Sequence, residues 1–301
     1  MTIGVAWIRK STEGEELWIA SDSRLTGDGM IWDDCPKLVV LPRRDAIAGF
    51  SGTTRQAYPL LLQMANAIGA YLPARSGSLE FFDLVGHLER VANSMLDDVK
   101  PDPHVSGPPE KHRAFGAPGD AIVLGGFSRD VGGFVLRALE YDRANLKWRF
   151  ARVRGSPAKL GPNLVFRVFG DGPSRRRYGE MLRTTLAERR KIKTPAYFDF
   201  EPIEVLWSFL KMPSSGLQPL PAARRPNTTG GAVQVMRALA GADATPFAVR
   251  WGTRPVRDYL FGRPCSPYEQ PDVPLLAESP APDRMLQIIA PTEWTVASDE
   301  V

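Results

Sequence analysis

The sequence is poor in the residues that build disulfide frameworks and metal centres, with 2 cysteines and 3 histidines among 301 residues. Cys35 and Cys265 are too few for a disulfide framework or for a four-cysteine zinc site. No apolar run approaches the roughly 18 residues that a membrane-spanning helix needs. The net charge of +4 is too small to predict binding to nucleic acid.

The chain also lacks the signals of a secreted protein. Residues 1–10 contain no basic leader before an apolar run and no small-residue cleavage site, so we expect a cytoplasmic location. Hydrophobic residues make up 43% and charged residues 24% of the sequence, which is typical of a folded globular protein.

Segments of strand-forming residues come in pairs, and pairs of amphipathic helices separate them. Strands are predicted at 2–9, 17–24, 38–41, 46–50, 121–127, 134–141, 148–153, 164–169, 232–239 and 247–251. Helices are predicted at 57–68, 81–95, 173–191 and 202–212. Paired strands favour two antiparallel sheets packed between helical layers over a doubly wound parallel sheet. The sequence therefore predicts an α+β fold.

Two proline-rich segments interrupt this pattern. The first, at about 99–119, contains five prolines and is predicted to be an irregular insertion within a domain that spans 1–255. The second lies in 256–301, where seven prolines fall between Pro264 and Pro291. We expect 256–301 to be an extended C-terminal arm rather than a packed domain.

The residue after the initiator methionine has the chemistry of a nucleophile. Removal of Met1 would leave Thr2 with a free α-amine. That amine, with a pKa of about 8, can take the proton of the threonine hydroxyl. A threonine in second position is common, so this signal is weak when taken alone.

Three further motifs give Thr2 a context. Residues 20–24 read Ala-Ser-Asp-Ser-Arg at the end of the second predicted strand, Lys37 precedes the next strand, and 49–53 read Gly-Phe-Ser-Gly-Thr before a helix. Together they resemble the proteasome β-subunit-like N-terminal nucleophile (Ntn) hydrolases, and are most similar to bacterial members of the Anbu type. The resemblance covers about 2–98 well and extends more loosely to about 240. It implies a four-layer α-β-β-α sandwich, the Ntn-hydrolase fold.

The resemblance also implies roles for individual residues. Thr2 would be the nucleophile, Lys37 would favour the neutral amine and the developing alkoxide, and Asp22 would hold Lys37 charged. The backbone N–H of Gly52 would bind the oxyanion. Supporting positions would be Arg24, Ser51, Asp171 and Thr229.

The sequence departs from the family pattern at two supporting positions. Asp171 stands where the family has the serine of a Gly-Ser-Gly turn, and Pro226 stands where the family has an aspartate. Thr229 keeps a hydroxyl in the family's Ser-Gly-Gly segment. These departures weaken the surroundings of the nucleophile without removing it.

Structural interpretations compete with the functional ones. Asp22 and Lys37 could form an ordinary surface ion pair, Arg24 could be a structural partner of a carboxylate, and Cys35 a buried thiol. His87 is expected to be a structural residue, and the metal site that Asp102, His104, Glu110 and His112 could form is disfavoured by the prolines between them. The basic stretches at 175–177 and 189–193 are expected to be solvated or to contact another subunit.

The leading hypothesis is a proteasome-like threonine peptidase that forms an acyl-enzyme and needs neither cofactor nor metal. Its expected partners are a peptide or protein substrate and further copies of the chain in a ring or related oligomer. Two alternatives stay open. One is a non-catalytic structural or binding subunit, and the other is an Ntn amidase that acts on a non-protein substrate.

Overall fold

The computed structural model describes most of the chain. The described residues are 2–12, 14–27, 30–97, 121–153, 164–192, 197–212, 229–252, 256–269, 271–282 and 284–296. The predicted insertion at about 99–119 lies outside them, as do His104, His112 and Pro226.

These residues form sixteen strands and five α-helices. The strands are β1 (Ile3–Ser11), β2 (Gly14–Ser21), β3 (Leu25–Gly27), β4 (Met30–Trp32), β5 (Leu38–Val40), β6 (Ala46–Ser51), β7 (Ala121–Ser128), β8 (Gly133–Asp142), β9 (Lys147–Arg152), β10 (Phe166–Gly170), β11 (Gln234–Leu239), β12 (Thr245–Trp251), β13 (Arg257–Leu260), β14 (Arg263–Pro264), β15 (Leu275–Glu278) and β16 (Leu286–Ile289). The helices are α1 (Thr54–Ala70), α2 (Leu72–Arg75), α3 (Phe81–Asp97), α4 (Gly172–Ile192) and α5 (Glu201–Lys211), and a 3-10 turn spans Pro291–Glu293. The predicted α+β class is confirmed.

Most of the strands belong to two large sheets. The nine-stranded sheet has the order β10-β1-β2-β11-β12-β13-β14, with β15 beside β12 and β16 beside β15. The five-stranded sheet has the order β5-β6-β7-β8-β9. Pairing within both sheets is antiparallel except between β12 and β15, which run parallel.

Three clusters of buried side chains follow from the two-residue period of the strands. Val5 and Trp7 of β1 pack in a cluster with residues of α4 and α5, whereas their neighbours Ala6 and Ile8 pack with Ile47 and Val123 of the five-stranded sheet. A further cluster joins the other side of the five-stranded sheet to α1 and α3. β6 is buried at all six positions, because both of its faces are covered.

The helices agree closely with their predicted positions. In α1 the buried residues are those of the predicted apolar stripe: Ala57, Leu60, Leu61, Met64 and Ile68. The predicted break between the first two helices contains the short α2, which has a proline in its first turn. α4 and α5 each begin and end within about one residue of the predicted bounds.

The first hairpin is longer than its strand-forming residues indicated. Its strands pair from Gly4 opposite Ser21 to Ser11 opposite Gly14, so the polar residues expected to form the loop continue the ladder. A two-stranded ribbon, β3–β4, was not predicted, and each of its strands has three residues. It connects the segment after Asp22 to the segment before Lys37 and exposes Trp32.

The expectation of an extended arm after 255 is wrong for the described part of that segment. β13 pairs with β12, β15 pairs with the other side of β12, and β16 pairs with β15. Leu275 and Leu276 are fully buried. The prolines lie mainly between these short strands, where they interrupt no ladder, and the apolar residues complete the edge of the nine-stranded sheet.

None of the helices in the described residues is both long and apolar enough to cross a bilayer.

Candidate functional site

Asp22 is the centre of the candidate site. It follows the last residue of β2, and its own N–H donates to the Ile3 carbonyl oxygen at 3.0 Å. Asp22 Oδ1 accepts hydrogen bonds from the Ile3 N–H at 3.0 Å and from Lys37 Nζ at 2.8 Å. Asp22 Oδ2 accepts the Gly230 N–H at 3.0 Å. One carboxylate therefore joins the peptide that follows Thr2, the lysine ammonium and the loop before β11.

Lys37 is enclosed together with its partner. The side chains of Lys37 and Asp22 are both 0% exposed, so this is not the surface ion pair of the structural interpretation. The Lys37 carbonyl oxygen accepts the Phe50 N–H at 3.1 Å. This bond fixes the start of β5 against the end of β6, where the Ser51-Gly52 turn begins.

Burial drives the two charges of this pair in opposite directions. Loss of hydration raises the pKa of Asp22 and lowers the pKa of Lys37, and the attraction between the two groups opposes both shifts. A lysine whose pKa is lowered gives up its proton more readily than a solvated one. The enclosed pair is therefore an element with acid–base capacity and a cost in stability.

Gln234 is a buried site residue that the sequence reasoning missed. Its Oε1 accepts the Lys37 N–H at 3.0 Å, and its Nε2 donates to the Cys35 carbonyl oxygen at 2.7 Å and to the Asp22 carbonyl oxygen at 3.4 Å. The side chain thus fixes the backbone on both sides of the ion pair. The sequence did hold one signal for this role, because Gln234 is a polar residue at the start of an otherwise apolar strand. A polar side chain that is buried in such a strand must find hydrogen-bond partners.

Thr2 lies directly before β1 and is 1% exposed. Its carbonyl oxygen accepts the Asp171 N–H at 3.1 Å. Gly170 precedes that donor with a φ of +131°, and a Cβ at Gly170 would lie 2.0 Å from the Thr2 carbonyl oxygen. Only glycine allows β10 and α4 to meet so close to Thr2.

Gly52 occupies the turn between β6 and α1. Its φ of +106° is in the left-handed region that favours glycine, so the residue type is explained by the turn. Ser51, the last residue of β6, is buried. Gly52 lies two residues beyond Phe50, whose N–H donates to the Lys37 carbonyl oxygen. The turn is therefore at the same end of the sheets as the ion pair.

The supporting residues Arg24 and Thr229 are both next to Gly230, whose N–H donates to Asp22 Oδ2. Arg24 forms two hydrogen bonds to the Asp33 carboxylate, which close the base of the β3–β4 ribbon, and the carboxylate partner expected for Arg24 is confirmed. Thr229 is buried beside Gly230, whose carbonyl oxygen accepts the Ser23 and Arg24 N–H groups.

Cys35 is a buried residue near the site and is 3% exposed. Its N–H donates to the Ser23 carbonyl oxygen at 3.1 Å, and burial raises the pKa of its thiol. A buried thiol with a raised pKa is a poor nucleophile, which agrees with the structural interpretation of this residue.

Metal-ligating side chains do not gather in the part of the chain that the structure describes. No group of three or more His, Cys, Asp and Glu residues there has the spacing to hold a metal ion. The set Asp102, His104, Glu110 and His112 lies outside that part. His87 packs against the Tyr71 ring at 5.7 Å between centroids, consistent with a structural residue.

Comparisons with protein-family models and with curated proteins find no relative of this chain. No protein-family model matches the chain, and no curated protein matches it at a significant level. The chemistry assigned to this site therefore rests on the residues and contacts described above.

Proposed function

We propose that the chain is a proteasome-like threonine peptidase that uses Thr2 as its N-terminal nucleophile. The observation that carries this proposal is the double use of Asp22 Oδ1, which binds both Lys37 Nζ and the Ile3 N–H beside Thr2. A carboxylate that binds both a lysine ammonium and the peptide that follows a chain-terminal threonine can orient that ammonium toward a hydroxyl nucleophile and so help to activate it.

The mechanism has two acyl-transfer steps. Once Met1 is removed, the Thr2 α-amine takes the proton from Oγ as Oγ attacks a peptide carbonyl carbon, and the Gly52 N–H receives the oxyanion. The C–N bond then breaks, and the leaving amine takes the proton from the α-amine. Water attacks the acyl-enzyme in the second step, the α-amine accepts its proton, and the proton returns to Oγ as the acid product leaves.

The overall architecture supports this proposal. We infer that the three clusters of buried residues are the interfaces of a four-layer α-β-β-α sandwich, with the two sheets in the middle and a pair of helices on each side. In such a sandwich β1 is an interior strand of its sheet, between the edge strand β10 and β2. Thr2 would then lie at the end of the sandwich with its backbone held by both neighbours.

Assembly and location are part of the same proposal. We expect copies of the chain to form a ring or related oligomer that shelters the nucleophile. Light scattering coupled to size-exclusion chromatography should give a multiple of 33.2 kDa, and a 33.2 kDa monomer would contradict this part of the proposal. Cys35 and Cys265 are free thiols, which fits a reducing compartment such as the cytoplasm.

The test is turnover of peptide substrates by matched variants. A panel of peptide–aminomethylcoumarin substrates with apolar, basic or acidic residues before the scissile bond covers the unknown preference. Thr2→Ala should abolish hydrolysis, whereas Thr245→Ala should not change it, because Thr245 begins β12 and its hydroxyl donates to the Asp243 carbonyl at the opposite end of β11. Equal rates for Thr2→Ala and the wild type would overturn the proposal.

One observation favours a second candidate, the non-catalytic subunit. Thr2 is 1% exposed in the full chain, so its hydroxyl is closed to a substrate while the chain is unprocessed. A purified protein that keeps Met1 and hydrolyses no peptide in the panel would favour a structural or binding role.

A further inference from the structure

Asp171 connects β10 to α4 and contacts Thr2 through its backbone. The Asp171 N–H donates to the Thr2 carbonyl oxygen at 3.1 Å, and Gly170 has no room for a side chain because its Cβ would collide with that same oxygen. The backbone of Asp171 is therefore held against Thr2, the residue directly before β1.

The two carboxylate oxygens of Asp171 have different surroundings. Oδ1 accepts the Ser174 N–H at 2.9 Å, which makes Asp171 the N-cap of α4. Oδ2 is buried and receives no hydrogen bond from the residues that the structure describes. Capping a helix needs only one oxygen, so the N-cap role explains Oδ1 and leaves Oδ2 as a buried acceptor in need of a donor.

Neighbouring charged groups do not supply that donor within the described part of the chain. Arg175, one turn along α4, has a buried Nε that is itself without a hydrogen-bond partner there. Lys37 donates to Asp22, and Arg24 is bound to Asp33. Ile3, the residue after Thr2, already donates its N–H to Asp22. The nitrogen of Thr2 belongs to the residue whose carbonyl oxygen accepts the Asp171 N–H, and it becomes a charged amine when Met1 is removed.

We propose that Asp171 is the counter-ion of the Thr2 α-ammonium and thereby sets the pH range over which this amine can act as a base, an inference that rests on the proposed function. A carboxylate beside the amine stabilises its protonated form, whereas the Lys37 ammonium favours the neutral form. Asp171 is thus a positioning residue that opposes Lys37. Replacing it should make the amine a base at lower pH.

Asp171→Asn separates this role from capping. Asparagine is as good an N-cap as aspartate, so it can keep the bond to the Ser174 N–H while it removes the charge. A residue that only caps α4 would leave the titration of the Thr2 amine unchanged in this variant. Asp171→Ser provides a second variant that can cap without a charge, should the asparagine variant fold poorly. Asp243→Asn is the matched control, since Asp243 is an exposed carboxylate in the turn after β11, far along that strand from Gln234.

The measurement is the rate of acylation of the Thr2 amine across pH in full-length processed protein, followed by mass spectrometry of the N-terminal peptide with acetic anhydride as the probe. We expect the midpoint to fall by about one pH unit in Asp171→Asn and Asp171→Ser, and to stay at the wild-type value in Asp243→Asn. The lower-pH limb of kcat/KM should move by the same amount.

The outcomes distinguish this inference from the proposed function. Midpoints that agree in the wild type and both Asp171 variants would overturn the inference even where peptide hydrolysis is intact. A shifted midpoint in a protein that hydrolyses nothing would support the ion pair and overturn the peptidase. A chain that keeps Met1 has no such amine and would overturn both.

Discussion

Two ion pairs of this protein, Asp22–Lys37 and Arg43–Asp45, are both withdrawn from solvent but are built differently. The Asp22 and Lys37 side chains are 0% exposed, whereas Arg43 is 1% and Asp45 16% exposed. Two guanidinium nitrogens of Arg43 donate to the Asp45 carboxylate, and a third donates to the Leu79 carbonyl oxygen. Arg43 therefore connects the turn before β6 to the segment before α3. Lys37 offers a compact charge to a carboxylate that also holds the backbone beside Thr2.

This difference in construction indicates which of the two ion pairs has a structural role and which has a role that depends on its charge. A planar guanidinium with several acceptors is the common means of fastening one segment to another. A lysine and an aspartate whose side chains are both 0% exposed lose their contact with bulk water, and neutral side chains often fill such a space at no loss of stability. A pair that costs stability at the end of β2 supports the proposal that the site uses its charge.

The largest expected effect is that of breaking the enclosed pair. Lys37→Met fills the same space but leaves Asp22 as a buried charge with only backbone donors, which should lower the free energy of unfolding by about 3–5 kcal/mol and abolish peptide hydrolysis. Urea unfolding monitored by tryptophan fluorescence measures the first effect. Hydrolysis at the wild-type rate would show that Lys37 takes no part in the reaction.

Removing both charges should restore stability without function. Asp22→Asn combined with Lys37→Met eliminates the uncompensated charge, so we expect the double variant to be more stable than Lys37→Met alone by about 2 kcal/mol. It should hydrolyse no substrate. A double variant that is less stable than the single one would mean that Asp22 stabilises the fold by itself.

The same comparison predicts a dependence on pH. Since the folded pKa of Asp22 is raised, its contribution to stability is fully present below its unfolded pKa and is lost as pH rises through the folded value. Since the folded pKa of Lys37 is lowered, its contribution is present above its unfolded pKa and is lost as pH falls through the folded value.

The free energy of unfolding of the wild type, relative to that of the double variant, should therefore be lowest at pH values between the unfolded pKa of Asp22 and the unfolded pKa of Lys37. Urea unfolding of both proteins at about pH 4, 7 and 10.5 measures the difference. A wild-type advantage that peaks at neutral pH would contradict a raised pKa for Asp22 and a lowered pKa for Lys37.

Breaking the Arg43–Asp45 pair should lower the free energy of unfolding by less and should leave peptide hydrolysis unchanged. Arg43→Met removes the bonds to Asp45 and to the Leu79 carbonyl, but Asp45 can regain water because it is partly exposed. We expect a loss of about 1–3 kcal/mol in the free energy of unfolding, with kcat/KM unchanged. A loss of turnover at full folding would mean that the two regions are coupled.

The smallest effect belongs to a fully exposed pair. Arg44 and Asp243 have side chains that are 71% and 78% exposed, so solvent screens their attraction. Arg44→Gln should change the free energy of unfolding by less than about 0.5 kcal/mol in the same urea titration. A larger loss would mean that exposure is a poor guide to the cost of breaking a pair in this protein.

Features of the fold and the site that depend on residues close together in the sequence could be predicted, whereas those that depend on residues far apart in the sequence could not. The stripe Ala57, Leu60, Leu61, Met64 and Ile68 reads as a helix because its period is local, and α1 buries those residues. The family resemblance pairs Asp22 with Lys37, and their side chains are 2.8 Å apart. Gln234 was missed because it reaches Lys37 across 197 residues, a register that no local pattern encodes.

The C-terminal strands were missed for a different reason. Prolines dominate the composition of 264–291, and their local effect is to break regular structure. β15 pairs with β12 through Leu275 and Leu276, and the edge of β12 that they meet is a feature of the folded sheet rather than of the local sequence. A tertiary contact outweighed the local preference.

The most direct test of the central claim is the intact mass of the purified protein before and after treatment with a peptide epoxyketone, which reacts with a hydroxyl and a free amine on the same residue. We predict loss of Met1 and a single adduct in the wild type, and no adduct in Thr2→Ala. A protein that keeps Met1, or a free Thr2 that never forms the adduct, would contradict the proposal that this chain is an N-terminal threonine hydrolase.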